Sequence, residues 1–315
     1  MSPLRLGARG SALALWQARH VAARLTGDGV AVELVEIVST GDQVVDVPLA
    51  DVEGTGFFTA TLERALLDGR VDLAVHSCKD LPVGETPGLM VAAIPERGPV
   101  EDVLVAPAGV TLASLPAGAK VGTCSVRRTA QLVARRPDLT FVPLRGNVPT
   151  RVGRVTSGEL DAIVLARAGL ERLGLGAHIA EVFPLEHVLP APAQGALAIQ
   201  CRQSDDGLAV RLAALDDADA RRAVEAERTV LHLLGGGCSV PVGAFARVEG
   251  SGLSLRAAVF DLAGGPALRA SAEGNDAVAV GEQVADALLR QGAARLLAVA
   301  DKAPRHWHVR SEEVS

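Results

Sequence analysis

Nine arginines crowd one stretch of the chain: Arg127, Arg128, Arg135, Arg136, Arg145, Arg151, Arg154, Arg167 and Arg172. Four acids share it, Asp138, Glu159, Asp161 and Glu171, so nine minus four leaves +5 in a chain of net charge -6. Singly, each Arg reads as a solvated helix face or half of an ion pair. As a group they favour an anionic ligand, because Arg grips carboxylate and phosphate in fixed geometry. Placement sharpens this. Arg127 and Arg128 fall in the first turn of a helix that Ser125 would cap, where cations oppose the helix dipole. An anion at that helix start would reverse the effect, and Gly122-Thr123-Cys124-Ser125 offers it amides and hydroxyls. Arg145, before Gly146-Asn147, meets a second helix start. Arg151 and Arg154 lie on that helix, apart from the apolar stripe Val148, Val152 and Val155. Two such starts in one lobe make a cleft for several anions, each charge-assisted hydrogen bond contributing ~1.5–3 kcal/mol.

Two other places could carry chemistry. His76-Ser77-Cys78-Lys79-Asp80-Leu81-Pro82 follows a short apolar run, Val71–His76, that reads as a buried strand. Ligands gather at the carboxyl ends of strands in open α/β sheets. An Asp before Leu-Pro is ordinarily a turn residue. Beside Lys79 and opposite an Arg-rich lobe, Asp80 becomes a candidate general acid/base or cation stabiliser. Cys238 ends the run Gly235-Gly236-Gly237. The bland reading is a small buried residue at a strand start; the chemical one is a nucleophile or attachment point with room for a bulky group. No GxGxxG, GxxxxGK[ST], HExxH, GxSxG or CxxC pattern occurs. His306-Trp307-His308 sits in a polar tail and reads as incidental.

Composition excludes several classes. The chain has 315 residues, of which 49% are hydrophobic and 22% charged, enough for two or three packed domains. Aromatics are 3% with no Tyr, and the balance is acidic, so a base-stacking nucleic-acid surface is not expected. No apolar run reaches the ~18 residues of a membrane span. Arg5, Arg9, Arg19 and Arg24 interrupt the start, which does not read as a secretory signal. Four widely spaced cysteines fit a reducing, cytoplasmic setting.

The elements that must position these residues alternate. Ser11 caps a helix to about Leu25, Val32–Val38 is a strand, and Phe58–Asp68 is a helix ended by Gly69. Asp102–Ala106, Lys120–Thr123, Thr140–Leu144, Asp161–Leu165 and Leu197–Cys201 read as further strands, and a helix runs from Ser125 to about Arg136. This alternation implies α/β layers with largely parallel sheets. Pro95-Glu96-Arg97-Gly98-Pro99 and Pro190-Ala191-Pro192 look like two crossings, as when one lobe is interrupted by another. After Leu215 a long helix, Asp216–Leu234, leads to strands Val240–Arg247 and Ser254–Phe260, helix Ala277–Arg290 and a strand Arg295–Ala300, a small α+β domain.

Seven motifs in order now carry a resemblance: ARGSALALWQA (8–18), VDLAVHSCKDLP (71–82), VGTCSVRRTAQL (121–132), LRGNVPTRV (144–152), DAIVLARAGLERLG (161–174), LPAPAQGALAIQCR (189–202) and GGGCSVPVGAFA (235–246). The chain resembles the porphobilinogen deaminases of tetrapyrrole biosynthesis from about Leu4 to Ala300. The resemblance implies an α/β fold of two periplasmic-binding-protein-like (type II) lobes plus a smaller C-terminal α+β domain. Their expected bounds are 1–97 with 194–215 for the catalytic-carboxylate lobe, 98–193 for the Arg-rich lobe and 216–315 for the cofactor-attachment domain. It implies a transferase that condenses four porphobilinogen molecules head to tail, releasing ammonia and hydroxymethylbilane. The primer is a dipyrromethane cofactor joined by thioether to Cys238, and no metal is required. Asp80 matches the catalytic carboxylate, which would stabilise the charge that builds as ammonia leaves. Lys79, Ser125, Arg127, Arg128 and Arg145 match cofactor-binding positions; Arg9, Ser11, Arg151, Arg172 and Gln194 match substrate-binding ones. The resemblance also implies a monomer acting on a small molecule, with no membrane or nucleic-acid partner. Thr55 stands where many relatives have Lys, and Cys124 where Ser is frequent. The other reading the Arg lobe allows is a non-catalytic two-lobed binding protein for a small polyanion.

Overall fold

Strand β1 (Leu4–Ala8) runs into helix α1 (Ala12–Gly27) through Ser11, whose hydroxyl accepts from the Ala14 amide at 3.3 Å. This is the capping geometry that side-chain oxygens provide at helix starts. The same βα arrangement builds most of the chain, described by a computed structural model for residues 2–37, 57–236 and 240–302. The first sheet has the order β2 (Val32–Glu36), β1, β3 (Leu73–Ser77), β10 (Leu197–Arg202), β4 (Leu89–Ala93). Strand β1 is parallel to β2 and β3, whereas β10 is antiparallel to both β3 and β4. Side chains alternate across it, as the strand period of two requires. Leu73 and Val75 pack with Ala18, Val21 and Leu25 of α1 and with Leu208 and Leu212 of a later helix. Ala74, between them, packs with Leu62 and Leu66 of α2 (Phe57–Leu67) on the other face.

The second sheet repeats this plan. Its order is β7 (Thr140–Val142), β6 (Lys120–Gly122), β8 (Ala162–Ala166), β5 (Asp102–Val105), β9 (Ile179–Val182). Strand β6 is parallel to β7 and β8, and β5 is antiparallel to β8 and β9. Helix α3 (Val126–Val133) covers one face through Leu132 and Val133. Helices α4 (Val148–Thr156) and α5 (Arg167–Arg172) cover the other through Val152, Val155 and Leu170. In each sheet the one antiparallel strand is the strand delivered by a crossing of the chain. The two-lobed plan is therefore present, with mixed sheets in place of purely parallel ones.

After α6 (Asp206–Ala213), a third sheet of three antiparallel strands, β11 (Val242–Glu249), β12 (Gly252–Val259) and β13 (Leu268–Gly274), packs against α7 (Ala218–Leu233) and α8 (Ala277–Arg290). The expected strand at Arg295–Ala300 is instead part of helix α9 (Ala293–Lys302). Gly292, at φ 99°, turns the chain after α8. The Ala-rich segment then has high helix propensity, and Ala293, Leu296 and Leu297 pack on the third core from one helical face.

The crossings are pinned from the third unit. Glu227 of α7 is 0% exposed and takes a two-pronged ion pair from Arg97 at 2.8 and 2.9 Å. It also accepts from the Ala193 amide at 2.6 Å and the Ala246 amide at 2.8 Å. Arg97 lies in the first crossing and Ala193 in the second, so one buried carboxylate ties both to α7. The crossings touch closely: the Gly98 amide donates to the Gly195 carbonyl at 3.2 Å. Gly195 has φ 88°, and a Cβ there would lie 2.5 Å from the Gly98 oxygen, so no larger residue fits.

Candidate active site

Strand β3 ends in a tight turn, Cys78–Asp80, closed by a 3.2 Å bond from the Leu81 amide to the Cys78 carbonyl. The Cys78 amide donates to the Ala196 carbonyl at 3.0 Å, anchoring the turn to the second crossing. Asp80 is exposed at its end and lines a cavity of about 100 Å³ with Arg9, Ser11, Gln17, Thr59, His76 and Ser77. Gln17 donates to the Ser77 hydroxyl at 2.9 Å and so fixes the cavity wall. His76 is 5% exposed, and burial pulls its pKa down to about 4 against the opposing pull of Glu63, so the ring is neutral at pH 7. Cys78 is buried too, and desolvation pushes its thiol up to about 11, which makes it an inert neighbour.

An ion cluster adjoins the Asp80 turn through Lys79. Asp102, at the start of β5, is 0% exposed and receives Arg127 Nη1 at 2.7 Å, Arg128 Nε at 3.0 Å, Arg128 Nη2 at 2.7 Å and Gln194 Nε2 at 2.9 Å. Burial alone would raise its pKa, but the two guanidiniums outweigh it and hold the carboxyl far below the usual range. Arg127 also donates to the Leu189 carbonyl at 2.6 Å and Arg128 to the Val164 carbonyl at 3.0 Å. The anion that two Arg at a helix start call for is therefore supplied, at least in part, by the protein. This differs from the reading of Arg127 and Arg128 as cations open to a ligand: they are 3% and 7% exposed. The bonds of Arg127 come from Nη1 alone, so Nε and Nη2 have no hydrogen-bond partner among the described residues. Lys79 joins the cluster through Gln194, donating to Oε1 at 3.3 Å. Desolvation lowers its pKa to about 8, with Asp80 working the other way.

Arg145 and Arg151 extend the basic surface of the second lobe beyond this cluster. Ser125 caps α3, its hydroxyl accepting from the Arg128 amide at 3.4 Å. Cys124 is exposed, and its thiol donates to the Leu144 carbonyl at 2.7 Å, placing it beside half-buried Arg145. Arg151 donates to the Gly146 carbonyl at 2.7 Å. Burial lowers its pKa, while Cys124 and Asp80 both act to raise it; the influence of Asp80 puts the two lobes' candidate residues within electrostatic reach of each other. Arg172 sits apart: it donates to the Gly195 carbonyl at 2.7 Å and lies 5.7 Å over the Trp16 ring, bridging α5, a crossing and α1. Cys238 and Thr55 lie outside the described residues, as do His306 and His308. No group of three His, Cys, Asp or Glu side chains could hold a metal ion among the described residues.

Sequence reasoning missed Asp102, the hub of the cluster. The signal was present: an acid opening the otherwise apolar strand Asp102–Val105 must be paired if it is buried. It also missed Gln17 and His76, which read as helix and strand residues until the two elements are brought together.

The porphobilinogen deaminase, dipyromethane cofactor binding domain matches residues 4–210, and the porphobilinogen deaminase C-terminal domain matches residues 221–290. Curated porphobilinogen deaminases are close in sequence. That of Syntrophotalea carbinolica is 47% identical over 307 residues, 96% of this chain and 98% of that protein. That of Acidothermus cellulolyticus is 50% identical, covering 94% and 92%. That of Thermobifida fusca is 49% identical, covering 94% and 96%. Among solved structures, a periplasmic substrate-binding protein of an ABC transporter from Coxiella burnetii aligns with TM-score 0.42 at 14% identity, covering 69% of this chain and 93% of that one. The BvgS VFT2 domain of Bordetella pertussis aligns with TM-score 0.40 at 16% identity, covering 72% and 91%.

Proposed function

The chain belongs to the porphobilinogen deaminase family, the transferases that condense porphobilinogen into hydroxymethylbilane on a dipyrromethane cofactor, and within that activity we propose that Asp80 carries the chemistry. The observation that supports this is its position: an exposed carboxylate at a strand end, on a cavity it shares with Arg9 and Ser11. Arg9 and the Ser11 hydroxyl receive the carboxylates of the incoming pyrrole. Asp80 accepts the pyrrole N–H, and its negative charge offsets the positive charge that develops on the ring as ammonia departs. The same carboxylate then takes the proton that the new bond displaces. Neutral His76 and inert Cys78 surround Asp80 without competing for that proton.

The donor set fits a dipyrromethane. Its two rings carry acetate and propionate groups, and Lys79, Ser125, Arg128 and Arg145, with the two unused nitrogens of Arg127, would hold them. When bound, that group supplies the electron-rich ring carbon to which substrate is joined. Cys238, which ends the run Gly235-Gly236-Gly237, would attach it by thioether. Arg151 holds carboxylates of the lengthening product. Arg172 and Gln194 act from the crossings, Arg172 on the bound chain and Gln194 by fixing Lys79. The units run 1–97 with 194–215, 98–193 and 216–315, and the protein works as a monomer in a reducing cytoplasm, which suits its free thiols at Cys78, Cys124 and Cys201. A non-catalytic polyanion receptor is not favoured: it has no use for the C-terminal family domain at residues 221–290.

Two measurements test this. Asp80→Ala is expected to fold, retain the cofactor mass and lose nearly all turnover; near-normal activity would remove Asp80 from the mechanism. Protein made in cells that supply porphobilinogen is expected to exceed its sequence mass by a two-pyrrole unit, on the peptide containing Cys238. An adduct on Cys124, or an active enzyme with no adduct, would defeat the attachment.

A further inference from the structure

Arg228 of α7 lies against the turn that carries Asp80. Its Nη1 donates to the carbonyls of Cys78 at 3.3 Å and Leu81 at 3.4 Å. Its Nη2 donates to the carbonyls of Pro82 and, at 3.4 Å, Val83. Four main-chain oxygens within six consecutive residues thus converge on one guanidinium, and Asp80 is enclosed by them in the chain. The neighbour Glu227 anchors the same helix turn to both crossings. We propose that Arg228 is a positioning residue: a side chain from the third unit sets the direction in which Asp80 is presented to the cavity. The proposal rests on the reading of Asp80 as the reacting carboxylate.

The physical case is one of rigidity. A loop left to solvent keeps its carbonyls hydrated and samples many conformations. Each charge-assisted hydrogen bond to the planar guanidinium fork removes part of that freedom, and the fork offers five donors in a fixed plane. An ammonium cannot reproduce this, because its donors radiate from a single nitrogen. The turn is also held by the Cys78 and Leu81 amides and, through Lys79, by Gln194. Arg228 adds a grip from the third unit, so the orientation of Asp80 depends on where α7 stands. Helix α7 also leads to Gly235 and Gly236, next to the segment that contains Cys238. One helix therefore carries both Glu227, tied to the crossings, and Arg228, which grips the Asp80 turn.

The test uses the cofactor-loaded, full-length protein. Arg228→Ala is expected to lower kcat roughly 10- to 100-fold with little change in KM, the signature of a misplaced reacting group. Arg222→Ala is the control: Arg222 lies on the same helix but donates to Gly250, Ser251 and Asn275 of the third unit. It should leave kcat unchanged. The space beside Arg228, a cavity of about 350 Å³ lined by Pro82 and Val83, admits a free guanidinium ion. Millimolar guanidinium chloride should therefore restore part of the lost kcat of Arg228→Ala, and equal sodium chloride should not. A merely structural role would not respond in this way. If Arg228→Ala does not fold, Arg228→Lys carries the same expectation of lowered kcat at unchanged KM. A kcat within about two-fold of the parent in the folded variant, or no guanidinium rescue, overturns the proposal. The double variant Asp80→Asn/Arg228→Ala should be no slower than Asp80→Asn alone, because Arg228 acts through Asp80; multiplied losses overturn it. Full activity in Asp80→Asn alone marks the separate failure of the Asp80 assignment and takes this proposal with it.

Discussion

Replacing Asp102 by Asn changes almost no volume and removes one charge. Asp102 is 0% exposed and receives donors from Arg127, Arg128 and Gln194 at 2.7–3.0 Å. The Asn variant leaves two buried guanidiniums without their counter-ion and turns one acceptor into an NH2 group facing other donors. Breaking a buried ion pair from one side costs about 3–5 kcal/mol. Spread over a unit of roughly 100 residues, each kcal/mol lowers the midpoint by about 4–8 °C, so the fall is about 12 °C or more. Differential scanning calorimetry at pH 7 reads it directly. Acidification adds a second signature. The folded-state pKa of Asp102 lies well below its unfolded value near ~3.9, so its contribution is fully present above that value and is lost as pH falls toward the folded pKa. Parent and variant midpoints should therefore converge below about pH 4. A variant midpoint within about 2 °C of the parent at pH 7 would refute the claim that this carboxylate neutralises the cluster.

Two further outcomes follow from the same site. His76 is buried with a pKa near 4 against an unfolded value near ~6.5, so the unfolded chain binds a proton that the folded one does not between those values. Stability should rise with pH across that window by up to about 3 kcal/mol, and His76→Gln should flatten this rise in urea midpoints taken at pH 5 and pH 7; an unaltered slope would show that His76 is not held neutral. Lys79, with its pKa lowered to about 8, should lose its charge as pH rises through that value, giving an alkaline fall in kcat/KM. Lys79→Arg should move the fall upward, and an unmoved limb would mean that another group titrates.

The sequence made the local elements and the lobe plan legible, because both rest on short-range signals. Ser11, Ser125 and Asn147 all cap helices through their side chains. The proline-rich crossings marked where the chain changes lobes. What stayed hidden depends on residues distant in sequence meeting. The nine-Arg excess announced an anion, but only the fold shows that β5 brings Asp102 against α3 and consumes part of that charge internally. Glu227 and Arg97 are 130 residues apart, and no periodicity links them. The helix at Ala293–Lys302 escapes a sequence reading because a short apolar run fits strand and helix alike, and only the fold shows Ala293, Leu296 and Leu297 packing on the third core from one helical face.

The place of β10 has a consequence for how the chain is made. It sits between β3 and β4, yet β4 ends at Ala93 and β10 begins at Leu197, after every strand of the second sheet. A ribosome adding ~5–20 residues per second leaves those two strands without their shared neighbour for roughly 5–20 s. During that interval the second lobe, whose strands are contiguous from Asp102 to Val182, can close by itself. The first lobe instead waits with two unpaired strand edges exposed, the kind of surface that templates aggregation. Slowing synthesis between Ala93 and Leu197, with no change of sequence, would therefore lower the yield of native protein from cells while leaving the melting point of the purified enzyme unchanged.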